Sequence, residues 1–127
     1  MKKRKFLFVC FANENRSPTA ERVFRELLEK GGYKVTDDLY SKRGKVVLSA
    51  GFEPSEKGRR VSRELCDSVD EILVMNRWMI DELAEKYGQE AGKVTTLDIP
   101  DVYGKDDPEL MSLLSLKLRE YLELKGY

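Results

Sequence analysis

Cys10 and Arg16 stand six positions apart in the stretch Phe6-Leu-Phe-Val-Cys-Phe-Ala-Asn-Glu-Asn-Arg16-Ser17-Pro18, where an apolar run gives way to an amphipathic one. A strand that runs into a helix through a short loop brings the loop's backbone N–H groups and the first free N–H groups of the helix together, and the helix dipole adds partial positive charge. Such a junction holds an anion such as phosphate. Helix N-termini and neighbouring guanidinium groups also favour the thiolate, the nucleophilic form of cysteine. The loop therefore offers a nucleophile and an anion cradle together. The spacing alone is weak evidence, and context sharpens it. β-Formers precede it, Ser17 follows the arginine directly, Pro18 suits a first helical turn, and Ala20, Val23, Phe24, Leu27 and Leu28 share one helical face. The competing reading is a buried inert cysteine with Arg16 as a surface charge.

The 127 residues suffice for one core, so residues 1–127 are expected to form a single domain. Lys plus Arg and Asp plus Glu number 23 each, which leaves no net field to gather nucleic acid or an anionic membrane. Anion binding must be local. Met1-Lys-Lys-Arg-Lys5 and the apolar residues after it imitate a signal peptide, but the run breaks at once into Asn13-Glu-Asn-Arg16, and a buried parallel strand needs no more. No segment reaches membrane-spanning length. With two cysteines, one of them in an anion-binding loop, a reducing cytoplasm is the expected compartment. The chain contains no histidine, which excludes Ser-His-Asp and Cys-His catalysis and histidine-ligated metal.

Strand and helix signals then alternate. Gly31-Gly32 ends the first helix, 33–45 is polar and irregular with room for a short extended piece, and Val46 to Ala50 reads as a second strand closed by Gly51. Ser62 caps a short helix that buries Leu65 and Cys66, so Cys66 is expected in the core. Ile72 to Met75 is a third strand, followed by a helix with Asn76 as its cap, Met79, Ile80, Leu83 and Tyr87 on one face, and Gly88 as its stop. Val94 to Ile99 is a fourth strand. Asp107-Pro108 opens a last helix carrying Leu110, Leu114, Leu118, Tyr121 and Leu122. This order implies an α/β parallel sheet whose ligand lies beyond the strands' carboxyl ends, where Cys10 stands.

The loop resembles the phosphate-binding loop of low-molecular-weight protein tyrosine phosphatases. Pro18-Thr-Ala-Glu21, Ser49-Ala-Gly51, Asp70 with Ile72-Leu-Val-Met75, and Pro100-Asp-Val-Tyr-Gly104 extend the resemblance along nearly the whole chain. It implies a flavodoxin-like four-stranded parallel sheet flanked by helices on both faces, a phosphocysteine intermediate and no cofactor. By that resemblance Cys10 attacks phosphorus, and Arg16 holds two phosphoryl oxygens. Backbone N–H groups of Phe11, Ala12, Asn13, Glu14, Asn15 and Arg16 hold the rest, Asn13 fixes the loop, and Ser17 donates to the thiolate or caps the helix. Asp101 matches the general acid, ahead of Asp98, Asp106 and Asp107. Phe52 and Tyr103 are candidate walls for an aromatic substrate, each open to a packing role instead.

The chain departs from the family pattern at Ala12, where glycine is usual, at Asn15, where a second cysteine is usual, and at Glu14, an often apolar rim position whose charge repels a phosphate dianion. The expected substrate is a phosphorylated protein or small phosphomonoester, with phosphate or vanadate as ligands. The rival readings are a phosphate- or phosphoprotein-binding module without turnover and a thiol-dependent arsenate reductase, which needs resolving thiols where this chain has no cysteine in 75–80. With no histidine and two cysteines, activity is expected to survive chelation, and reactivation by a divalent ion after chelator treatment would contradict this.

Overall fold

A computed structural model describes residues 3–126. Nine elements follow in order: β1 (Lys5–Cys10), α1 (Arg16–Lys30), β2 (Val35–Thr36), β3 (Lys45–Gly51), α2 (Arg63–Asp67), β4 (Glu71–Val74), α3 (Trp78–Tyr87), β5 (Val94–Thr96) and α4 (Pro108–Leu124), with a 3₁₀ turn, Ala91–Lys93, before β5. The strands form one parallel sheet in the order β2-β3-β1-β4-β5. From β1 the chain first moves one way, to β3, and then returns across it to β4. Right-handed crossovers therefore put α1 on one face and α2 and α3 on the other. β1 is the strand at which direction reverses, and a crevice opens beyond its carboxyl end.

Period-two alternation distributes β1 between the two faces. Phe6 and Phe8 meet Phe24 of α1 edge-on, with ring centroids 5.0 and 5.3 Å apart, and Phe24 meets Tyr121 of α4 at 6.1 Å. Leu7 and Val9 point to the opposite face, and all four are fully buried. Truncating Phe24, wholly buried at the centre of this cluster, would cost about 3–5 kcal/mol. The apolar stripe of α1 is thus what clamps the helix over β1 and fixes where its first turn lies.

The sheet has five strands where four were expected. The additional one is the short β2, paired with Lys45 and Val46 at the edge of the sheet and lying within the polar 33–45 stretch. β5 ends at Thr96 rather than Ile99, because Asp98 adopts φ +52° and breaks the extension. Its successors still bond along β4: Leu97 N–H to Val74 O at 2.8 Å and Ile99 N–H to Met75 O at 2.8 Å. Three local signals hold as read. Ser62 Oγ accepts from Leu65 N–H, Asp107 Oδ1 accepts from Glu109 N–H ahead of Pro108, and Gly88 ends α3 at φ +65°. Asn76, expected to cap α3, does not, since the helix begins at Trp78 with Arg77 as its cap residue.

The entry to β1 is pinned by Asp70, whose Oδ2 accepts from the N–H groups of Arg4 and Lys5, both at 2.9 Å. Burial works against the charged carboxylate, but these two N–H groups and the charges of Lys3 and Lys5 outweigh it and hold Asp70 below its ordinary 3.8. A carboxyl lowered on folding contributes stability above its unfolded value and loses it as pH falls through the folded one. Asp70→Asn is therefore expected to cost about 1 kcal/mol at pH 7, discounted for solvent exposure. The deficit should close as pH falls below the ordinary value of 3.8, as urea unfolding at both ends of that range would show.

Candidate active site

The loop between β1 and α1 owes its shape to the segment after β3. The carbonyls of Cys10, Phe11 and Ala12 accept from the N–H groups of Phe52 (3.3 Å), Glu53 (2.8 Å) and Ser55 (3.0 Å). In a planar trans peptide the C=O and the following N–H point opposite ways. With three successive carbonyls drawn outward, the N–H groups of Phe11, Ala12 and Asn13 turn inward, and Asn13 N–H reaches Cys10 Sγ at 3.2 Å. Gly51 makes the close approach possible. A Cβ there would lie 2.6 Å from Asn13 N, 2.8 Å from Phe11 O and 2.9 Å from Ala12 C, all of them backbone.

Asn13 sits at φ +50°, a region open to asparagine. Its side chain is fully engaged. Nδ2 donates to Ser17 Oγ (2.9 Å) and Ser49 Oγ (3.0 Å), and Oδ1 accepts from Arg59 N–H (2.8 Å). Ser17 Oγ lies 2.9 Å from Cys10 Sγ. Asn13 already donates to this hydroxyl, so the Ser17 proton points away from Asn13, either to sulfur or to the more distant Ala50 carbonyl at 3.4 Å. Ser17 lies inside α1, whose cap position is Asn15, so the helix-cap role does not apply to it. Cys10, Asn13, Arg16 and Ser17 are all buried.

Arg16 opens α1 with a side chain only 3% exposed. Nη1 donates to Asn76 Oδ1 and to Ile99 O, both at 2.7 Å, while Nε lies 3.6 Å from Asp101 Oδ1. Nη2 has no partner among the described residues, so the Nε–Nη2 edge remains as a fork for a bidentate oxyanion. Asp101 is 66% exposed. The other carboxylates considered have separate partners. Asp98 accepts from Thr96 Oγ1 and pairs with Arg77, Asp106 binds Thr19 and Arg22, and Asp107 caps α4.

Phe52 is 7% exposed, its ring packed at 5.6 Å from Trp78 and 6.0 Å from Tyr87. It belongs to the core and is no open wall. The exposed apolar groups at this end are Phe11, Trp78 and Val102, each within two residues of Cys10, Asn76 or Asp101. Tyr103 is half-buried against the core. Glu14 is exposed and has no hydrogen bond or ion pair among the described residues. It lines a cavity of about 570 Å³ on the loop's outer flank with Glu21, Glu56, Lys57, Arg59 and Lys105, and neither Cys10 nor Arg16 is part of its wall. Burial pushes the Cys66 thiol up to about 11, Lys93 opposing and Asp67 adding to the shift. Cys66 is the core residue expected.

Sequence reasoning missed Asn76 as part of the site. Its position directly after a strand, before an apolar-periodic run, is ordinary cap grammar, and only the fold shows that its side chain reaches back to Arg16.

A buried thiol that accepts from a loop N–H, at the mouth of a helix whose first residue is a buried arginine, is the arrangement of a cysteine-dependent phosphatase. Residues 5–113 match the low molecular weight phosphotyrosine protein phosphatase family, and the chain belongs to it. It is 30% identical over 125 residues to the low molecular weight protein-tyrosine-phosphatase Wzb of Escherichia coli K12, covering 87% of this chain and 85% of the relative. It is 32% identical over 102 residues to a protein-arginine-phosphatase of Bacillus subtilis, covering 72% and 68%. The fold matches the crystal structure of Wzb from E. coli K30 in complex with phosphate at a TM-score of 0.75, with 21% identity and coverage of 96% and 98%.

Gly51→Ala is expected to push the loop outward, since the clashing atoms are all backbone. Overpacking of this kind costs about 1–3 kcal/mol. Competitive inhibition by inorganic phosphate should weaken at least tenfold while the far-ultraviolet circular dichroism of the sheet and helices is unchanged.

Proposed function

We propose that this protein hydrolyses phosphomonoesters of aryl type, phosphotyrosine in proteins foremost, with Cys10 as nucleophile, Arg16 as the phosphoryl clamp and Asp101 as general acid and base. Cys10 Sγ attacks phosphorus, the P–O bond to the leaving group breaks, and Asp101 gives that oxygen its proton. Water then attacks the phosphocysteine, Asp101 takes a proton from it, the P–S bond breaks, and phosphate departs from a thiolate steadied by the Ser17 hydroxyl. The inward N–H groups from Phe11 onward and the Nε–Nη2 edge of Arg16 meet the equatorial oxygens, where charge is held throughout.

The observation that carries this reading is one loop that holds Cys10 Sγ against Ser17 and the Asn13 N–H, has three carbonyls pinned outward, and ends in the buried Arg16 with Nη2 unpartnered among the described residues. Asp101 is favoured as acid because it approaches Arg16, whereas Asp98, Asp106 and Asp107 are bound elsewhere. Exposed Phe11, Trp78 and Val102 suit an aromatic ring above the cradle. Two free cysteines fit a cytoplasmic protein, and among the described residues no helix is long and apolar enough to cross a membrane.

A second substrate reading rests on Glu14. A phosphoryl group on an arginine side chain arrives with a guanidino cation, and the exposed Glu14 on the loop's outer flank, unpaired among the described residues, attracts that cation on approach where it repels a plain aryl phosphate dianion. One of the relatives above is named for that activity. Hydrolysis of phosphotyrosine, phosphoarginine and phosphoserine peptides side by side separates the readings. Glu14→Gln should raise kcat/KM for phosphotyrosine if the first holds and lower it for phosphoarginine if the second does.

Cys10→Ser is expected to abolish turnover and still bind inorganic phosphate, because cradle and clamp persist. Phosphate binding by the native chain without turnover of any of these substrates would identify a binding module instead. Asp101→Asn should lower kcat about a hundredfold or more for poor leaving groups and far less for nitrophenolate. If Asp98→Asn gives that pattern, the acid is Asp98.

A further inference from the structure

Arg16 is a buried cation whose hydrogen bonds go to neutral groups and whose one carboxylate neighbour is exposed. A charge taken from water normally has a carboxylate beside it. Here Nη1 is fixed at 2.7 Å by a carboxamide oxygen of Asn76 and at 2.7 Å by the Ile99 carbonyl. The nearest carboxylate, Asp101, stands off at 3.6 Å on a side chain 66% exposed.

The amide at position 76 is specified at both ends. Arginine has only donors, so the oxygen of Asn76 must face it. Nδ2 then lies 3.4 Å from the Ile99 carbonyl that also receives Arg16. Aspartate has nearly the same shape, but its second oxygen would confront that carbonyl, and its charge would neutralise the guanidinium. Ile99 is in turn fixed to the strand before Asn76 through its N–H on Met75 O, 2.8 Å, so the anchor does not move away from the acid loop.

We propose that Asn76 is a positioning residue that anchors Arg16 through a neutral acceptor, so that Nη1 is fixed without adding a second carboxylate to the one exposed ion-pair partner, Asp101. The inference rests on the reading of Arg16 as the phosphoryl clamp. A neutral anchor fixes the fork's direction without weakening its field, and in a water-poor site that field acts at full strength on the anion.

The test compares the native protein with Asn76→Asp, Asn76→Ala, Arg16→Lys and the Asn76→Ala/Arg16→Lys double variant. The readouts are kcat/KM for an aryl phosphate, the inhibition constant of inorganic phosphate and the melting temperature. Asn76→Asp keeps the acceptor and should fold normally, yet bind phosphate at least tenfold more weakly. Asn76→Ala should lower kcat/KM about tenfold in the native background and less than twofold in the Arg16→Lys background, since lysine has no Nη1 to anchor. Phosphate binding by Asn76→Asp as tight as native would overturn the proposal, and so would an equal effect of Asn76→Ala in both backgrounds. If Arg16→Lys itself leaves kcat/KM intact, the clamp reading fails and takes this inference with it. A crippled Arg16→Lys beside an unaffected Asn76→Asp defeats this inference alone.

Discussion

Three outward-drawn carbonyls decide the geometry of everything around Cys10. A loop of this length has equal numbers of donors and acceptors, and left to itself it would show a phosphate both. The N–H groups of Phe52, Glu53 and Ser55 remove three of the acceptors, those of Cys10, Phe11 and Ala12, by binding them from behind, so the following N–H groups turn to the inner side. The selectivity for an anion is thus established in the backbone before any charged side chain is counted. Gly51 is the condition for it, because only a residue without Cβ lets β3 continue so close to the loop.

The rest of the site supplies what the backbone cannot. The chain has no histidine to take a proton from the thiol; what surrounds the sulfur is fixed dipoles, the Asn13 N–H and a serine hydroxyl oriented by Asn13, at the first turn of α1. Such dipoles need no reorganisation when charge develops, which is the condition under which electrostatic catalysis is largest. Rigidity is therefore the common requirement. Asn13 meets it with three bonds from one side chain to Ser17, Ser49 and the backbone at Arg59, tying the loop to the helix, to a strand and to the next loop.

What could be read from the sequence was whatever depends on near neighbours. The Cys10-to-Arg16 spacing, the apolar face of α1, the Ser62 and Asp107-Pro108 caps and the Gly88 stop each act within a few residues, and each signal is complete in its own window. Asn76 shows the limit. Its local context is that of a cap, and its role comes from a partner 60 positions earlier in the chain. Phe52 likewise follows a strand that ends beside the loop and looks available to a substrate, but Trp78 and Tyr87, from a helix on the far side of the crossover, cover it. β2 has too few residues for period-two patterning to register. The early end of β5 hinges on a positive φ at an aspartate, which composition does not announce.

The bonds that finish the site span most of the chain. The loop after β1 takes its shape from Phe52 to Arg59, and Arg16 takes its direction from Asn76 and Ile99. The residues that would meet phosphate are among the first to emerge during synthesis, and those that orient them come last. Parallel pairing with long crossovers orders late for the same reason, since loop closure precedes the contacts that reward it. A nascent chain stopped before Ile99 would carry the whole Cys10-to-Arg16 motif and still lack the aimed guanidinium. On the proposed reading, Cys10 thus stays without an aimed Arg16 until the sheet is complete.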